Sequence, residues 1–156
     1  MIANTINAKI AEALKNKDEV RLSTLRLLSS ALNYERIAKQ HELSEEEERV
    51  VVKREAGKRR DAIEALRQAQ GKSTTSDPET LKEKLVREEK ELTILKSFLP
   101  DEMSDDDLGK LIEEAIAELK PIGMSDMGKV IGLVMGKAKG AADGKKVSEM
   151  VKSKLV

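Results

Sequence analysis

The stretch SDMGKVIGLVMGKAKGAADGKKV, residues 125–147, has the apolar spacing of a helix but contains five of the nine glycines of the chain. They recur at every fourth position, as Gly128, Gly132, Gly136, Gly140 and Gly144. An interior glycine destabilises a helix by about 1 kcal/mol relative to alanine. The repetition therefore requires a physical reason.

A helical wheel separates this stretch into two faces. Lys129 and Lys139 lie among the glycines on one side, and Leu133 lies close to them. The opposite side is apolar and predicts the core face, formed by Met127, Val130, Ile131, Val134, Met135 and Ala138. The outer face is thus predicted to be nearly bare backbone flanked by lysines.

Two interpretations of the bare face remain open. The glycines either permit tight packing inside the domain or allow a bulky ligand to approach the backbone. A transmembrane glycine-motif dimer is excluded by Lys129 and Lys137 within the segment. Gly140, near the predicted helix end, also fits a C-terminal cap.

The residues that follow the glycine helix are compatible with a bound anion. Asp143 is a predicted N-cap, and Gly144, Lys145 and Lys146 follow it. Lysines oppose the positive end of the helix dipole, so a bound anion would explain them; two solvated lysines are the simpler alternative. GAADGKK is not a P-loop, because three residues separate its glycines and no Ser or Thr follows the lysine.

Composition predicts an all-α protein. The chain is 37% charged, 39% hydrophobic and 1% aromatic, and no segment alternates with a strand period. Net charge is zero, but residues 119–156 hold eight basic and three acidic side chains, which predicts a local basic surface. Cysteine is absent, which excludes disulfides and thiol catalysis. Without a long apolar run or a secretory leader, we expect a cytoplasmic protein and no membrane partner.

Capping signals predict seven helices in two domains, residues 1–99 and 100–156, with the boundary at LPDEMSDDD. The N-terminal domain holds four helices and the C-terminal domain three. The first helix is predicted over residues 2–16, with Ile2, Ile6, Ile10 and Leu14 in one stripe, and the fourth to end at Leu99. The starts of the others are predicted from Asp18, the Ser44–Glu47 capping box, Asp77–Pro78, Ser104, Ser125 and Asp143.

DMGKVIGLVMGKAKGAADGKKVSEMVKSKL, residues 126–155, resembles the C-terminal signature of the GatB/YqeY family. The resemblance extends to DEVRLSTLRLLSSALNYERI, KREAGKRRDAIEAL and EEKELTILKSFLPDEMSDDDLGKLIEEAI, and so covers nearly the whole chain. It implies an N-terminal helical domain followed by a small three-helix domain. One departure follows Ala69, where QGKSTTSDPETLKEKLVR is longer than the loop typical of the family.

The resemblance also implies a functional context. A related region forms the tail of the B subunit of the glutamine-dependent tRNA amidotransferase, where it is implicated in contacting the tRNA body. The family is accordingly associated with carbon–nitrogen ligase activity that uses glutamine as amide donor.

The residues themselves do not predict an autonomous enzyme. The single histidine, His41, precedes a helix cap and has no cysteine partner, so we expect no catalytic site, metal or cofactor. A second basic segment, KREAGKRR, is either a solvated face or a phosphate contact, through Arg54, Lys58, Arg59 and Arg60. With Tyr34 and Phe98 the only aromatic residues, base stacking is excluded, and an RNA would be recognised by shape and backbone.

The first hypothesis is therefore an accessory module that binds tRNA or another structured RNA and has amidotransferase subunits as further partners. The alternative is an adaptor that docks a helical protein partner on the glycine face. The candidate nucleic-acid-binding residues are Gly128, Lys129, Gly132, Gly136, Lys139, Gly140, Gly144, Lys145 and Lys146.

Overall fold

A computed structural model describes residues 1–72 and 76–156 of the chain, and within these ranges it contains helices and no strand. The all-α prediction is confirmed. The helices are α1 (Ile2–Lys15), α2 (Glu19–Lys39), α3 (Glu45–Gln70), α4 (Pro78–Lys96), α5 (Asp105–Leu119), α6 (Met127–Ala138) and α7 (Gly144–Leu155), with a 3₁₀ turn at Met124–Asp126. The segment QGKSTTSDPETLKEKLVR, in which the sequence departs from the family, lies partly outside the described residues.

The chain divides into two compact units, Met1–Leu99 and Pro100–Val156. The first unit contains α1 to α4 and the second α5 to α7. That each unit is a domain able to fold alone stays a prediction.

The core of the first unit is aliphatic. Leu25, Leu28 and Leu32 of α2 are buried, and alanines occupy two of the tightest positions, Ala13 and Ala56. Leu14, predicted in the buried stripe of α1, is exposed instead. Residues four positions apart in a helix are rotated by about 40° about the helix axis. Leu14 is three such steps after Ile2, so it has rotated by about 120° and no longer points at the core.

The second unit has its own aliphatic core, and α6 contributes the predicted stripe to it. Val130, Val134 and Ala138 are buried there together with residues of α5 and α7. Leu133, predicted near the outer face, is partly buried and packs against the same core.

Five of the six predicted caps are confirmed: Asp18, Ser44 with Glu47, Asp77, Ser104 and Asp143 each accept a backbone hydrogen bond at their helix start. The Ser125 cap is wrong, because α6 starts at Met127 after the 3₁₀ turn and Asp126 occupies the N-cap position without a capping hydrogen bond. The fourth helix ends at Lys96, earlier than predicted, and leads into a short turn.

A buried carboxylate supplies the missing cap of α1. Met1, at the N-cap position, provides no side-chain hydrogen bond. Instead Glu48 of α3, 1% exposed, accepts hydrogen bonds from the backbone nitrogens of Ile2 and Ala3, at 2.5 and 3.0 Å. Because the first amides of a helix are otherwise unpaired, this contact fastens the start of α1 to α3.

We expect Glu48→Ala to destabilise the first unit by about 1.5–3 kcal/mol, the usual contribution of hydrogen bonds to a charged group. The measurement is urea unfolding combined with hydrogen exchange of the α1 amides, which should lose protection selectively. Glu46→Ala, an exposed position in the same helical turn, is the matched control. Equal effects of the two substitutions would contradict the capping role.

Candidate nucleic-acid interface

Three of the glycines form an open face on α6. Gly128, Gly132 and Gly136 are exposed, and a Cβ added to any of them would meet no atom within 4 Å beyond its own helix. Internal packing is therefore the wrong explanation for these three positions. The helix loses propensity there without gaining a contact inside the unit.

The other two glycines have local roles. Gly140 has φ +90° and follows Lys139, itself left-handed with φ 45°, so the chain needs glycine to leave α6 in this conformation. Ala141 N closes the turn by donating to Ala138 O at 2.9 Å. Gly144 starts α7, and an added Cβ would lie 3.9 Å from Met135 Cε, an ordinary contact.

An apolar tip precedes the open face, and the sequence analysis did not identify it. Ile122 is 96% exposed and Met124 45% exposed, directly before α6. The turn is held by Asp126, whose carboxylate accepts from Ile122 N at 3.0 Å and from Lys129 Nζ at 3.1 Å. These two hydrogen bonds lower the pKa of Asp126, and the one from the Ile122 backbone has the larger effect. The sequence did indicate this tip, because Ile122 and Met124 are large apolar residues in the turn PIGM and do not belong to the apolar stripe of a helix.

The four candidate lysines differ in their surroundings. Lys129 pairs with Asp126, and Lys146 pairs with Asp105, whose hydrogen bond raises the pKa of Lys146. Within the described ranges, no carboxylate pairs with Lys139 or Lys145. Of the four lysines, these two are therefore the ones not held in an ion pair among the described residues.

The acidic helix α5 partly neutralises the basic surface expected from the composition. Glu113 binds Lys154 at 2.8 Å, and Glu118 binds Lys137 at 2.7 Å. With Asp105, three carboxylates of α5 thus occupy lysines of α6 and α7. Charge counts along the chain could not show this, because the pairing depends on how α5 packs against the other two helices.

The basic side chains of the second segment form ion pairs within the first unit, some of them to other helices. Arg54 contacts Glu35 of α2 at 2.9 Å, and Lys58 contacts Glu55 at 2.8 Å. Arg59 lies between two carboxylates of α4, 3.3 Å from Glu88 and 3.1 Å from Glu91. Arg60 also has an interaction partner. The solvated-face interpretation omitted the links from Arg54 and Arg59 to neighbouring helices. A phosphate contact by this segment stays a prediction.

His41 is an exposed connector residue. Its Nδ1 lies 2.8 Å from Glu42 O, and its Nε2 lies 3.6 Å from Glu47 Oε1. Glu47 is engaged mainly by a hydrogen bond from Lys39, which with the Ser44 amide lowers the Glu47 pKa to about 2. No three His, Asp or Glu side chains in residues 1–72 and 76–156 are grouped so that they could hold a metal ion. None of the helices described there has the length and apolar character needed to cross a bilayer.

We expect Gly132→Ala and Gly136→Ala to stabilise the second unit, by up to about 1 kcal/mol each, because each methyl enters open space. Gly140→Ala is the contrasting variant and should destabilise by about 1–2 kcal/mol, since an L side chain disfavours its left-handed backbone. Urea unfolding, monitored by circular dichroism, measures the stability of each variant. Destabilisation by the first two substitutions would restore the packing interpretation.

The chain is similar in sequence to known proteins. Segments of two curated relatives, the glutamyl-tRNA(Gln) amidotransferase subunits E of Thermococcus sibiricus and Thermococcus gammatolerans, are 39% and 36% identical to this chain over 74 residues. Each match covers 45% of this chain and 10% of the relative, so the chain spans a small part of their length. The family model described as Yqey-like protein matches residues 3–155. Because that match covers nearly the whole chain, the protein belongs to the YqeY-like family.

Proposed function

We propose that this chain is an accessory module that binds tRNA, with the glycine face of α6 as its contact surface. The observation that carries the proposal is the open face at Gly128, Gly132 and Gly136, where backbone is exposed and no internal contact explains it. The glutamyl-tRNA(Gln) amidotransferase relatives support tRNA as the ligand.

The chemistry of the face suits an RNA backbone. Without Cβ atoms, the helix lets ribose and phosphate groups lie against its main chain. Lys139 and Lys145, near the end of the face, would neutralise phosphates. The Lys145 amide is already capped by the Asp143 carboxylate, so only the other first-turn amides of α7 would add to the attraction for negative charge. Recognition by shape and phosphate contacts also suits an RNA-binding protein with almost no aromatic residues.

We assign the chain no reaction of its own. In this proposal it presents or holds the tRNA in the cytoplasm, and a glutamine-dependent amidotransferase, a carbon–nitrogen ligase, performs the chemistry. The amidotransferase subunits would then be its protein partners.

The alternative function is an adaptor for a helical protein, and one observation favours it. Ile122 and Met124 place an apolar, hydrogen-bonded turn at the start of the glycine face. A protein helix could lie along the bare backbone and cover this tip. RNA binding does not require the tip.

Replacing Gly132 and Gly136 together by alanine should weaken binding of a tRNA transcript at least about tenfold, because the two methyl groups hold the ribose–phosphate chain away. Gly57→Ala is the matched control, since a Cβ added to Gly57 of α3 would also meet no neighbouring atom and the residue lies in the first unit. Filter binding measures the affinity, and the folded fraction is checked separately. Unchanged tRNA affinity in the double variant would remove this face from the site.

The salt dependence of tRNA binding tests the lysines. Lys139→Ala and Lys145→Ala should each lower the log–log salt slope by about 0.7–0.9 for every phosphate that the lysine neutralises in the original chain. Lys82→Ala, in the first unit, should leave the slope unchanged. If tRNA affinity is instead insensitive to these changes and binding of a protein partner is abolished by Ile122→Ser, the adaptor function is correct.

A further inference from the structure

Helix α2 has a second apolar face that its own unit leaves uncovered. Its core side buries Leu25, Leu28 and Leu32. On the other side Leu27, Tyr34 and Ile37 are 54%, 75% and 68% exposed. They are separated by seven and three residues, so they follow one stripe of the helix.

This face is also depleted of charge, although the chain is 37% charged. Five further residues of this face lie near the three apolar side chains. Four of them are uncharged, Ser23, Ser30, Asn33 and Ala38, and the fifth is Arg26. Exposed apolar surface with few charged side chains is typical of a contact surface.

The face is complementary to itself in an antiparallel arrangement. A two-fold axis level with Leu32 sets Leu27 opposite Ile37 of a second copy and Ser30 opposite Tyr34 of that copy. The first pair joins two apolar side chains, and the second joins two hydroxyl groups that can hydrogen-bond. Isologous interfaces require this kind of self-matching.

Electrostatics permits the same pairing. The two copies of Arg26 would be twelve residues apart along the paired helices, about 18 Å at the helical rise. That distance exceeds the Debye length of about 8 Å at physiological ionic strength, so their repulsion is screened. In this register an Ala38, and not a charged side chain, faces each arginine.

We propose that the outer face of α2 is a self-association surface on which two copies of this chain pair antiparallel. A single helix pair buries less than the roughly 1,200–2,000 Å² of a stable interface, so the dimer exchanges readily with monomer. The proposal concerns the first unit and is independent of tRNA binding by the second.

Sedimentation equilibrium of the full chain, from about 10 μM to about 1 mM, tests it; monomer should convert to dimer across this range. Tyr34 supplies a second readout, because it is the only tyrosine and the chain lacks tryptophan. Its emission should become less accessible to acrylamide as the dimer forms. A chain that stays monomeric at the highest concentration overturns the proposal and leaves the face to a different partner.

Variants test the register. Leu27→Lys and Ile37→Glu alone should each weaken dimerisation at least tenfold, and the double variant should dimerise at least about threefold more tightly than either, since the new charges oppose each other. Val50→Glu, at a position 61% exposed on α3, should dimerise like the original chain. Three results would contradict antiparallel pairing through α2. They are dimerisation that is insensitive to the α2 substitutions, dimerisation that is abolished by Val50→Glu, and a double variant that dimerises no more tightly than the single variants.

Discussion

The scarcity of aromatic side chains constrains both units. With one phenylalanine and one tyrosine, and with Tyr34 exposed, the cores must be built from aliphatic residues. Each fully buried Leu, Ile or Val contributes about 1.5–3 kcal/mol, so many such contacts are needed. Buried alanines, among them Ala13, Ala56, Ala115 and Ala138, occupy positions where neighbouring helices pack, and allow them to approach closely.

Local features were predictable because they depend on short spacings. Apolar periodicity identified the helices, and side chains three residues from their targets identified most caps. The Ser125 cap failed because the 3₁₀ turn moved the helix start and Asp126 is bound to Ile122 and Lys129 instead. Glu48 was missed since its targets, the amides of Ile2 and Ala3, are 46 and 45 residues away.

In the candidate site, too, the local features were predictable from the sequence and the long-range contacts were not. The sequence identified the face of α6 that the glycines occupy, because helical geometry determines it. It could not decide between packing and exposure, because that depends on how the three helices pack. Nor could it show that Lys137, Lys146 and Lys154 are paired, because their partners lie on α5. Three α5 carboxylates reduce the basic surface, so ligand binding here would depend on the shape of the bare face and a few open lysines such as Lys139 and Lys145.

The most direct test of the account is to titrate tRNA into the chain with ¹⁵N-labelled glycine and follow the glycine amides by NMR. Gly128, Gly132 and Gly136 report the open face, whereas Gly57 and Gly71 belong to the first unit. The account predicts that the three α6 amides shift or broaden first, while Gly57 and Gly71 remain unchanged. Perturbation of the first-unit glycines with an unaffected α6 would contradict it.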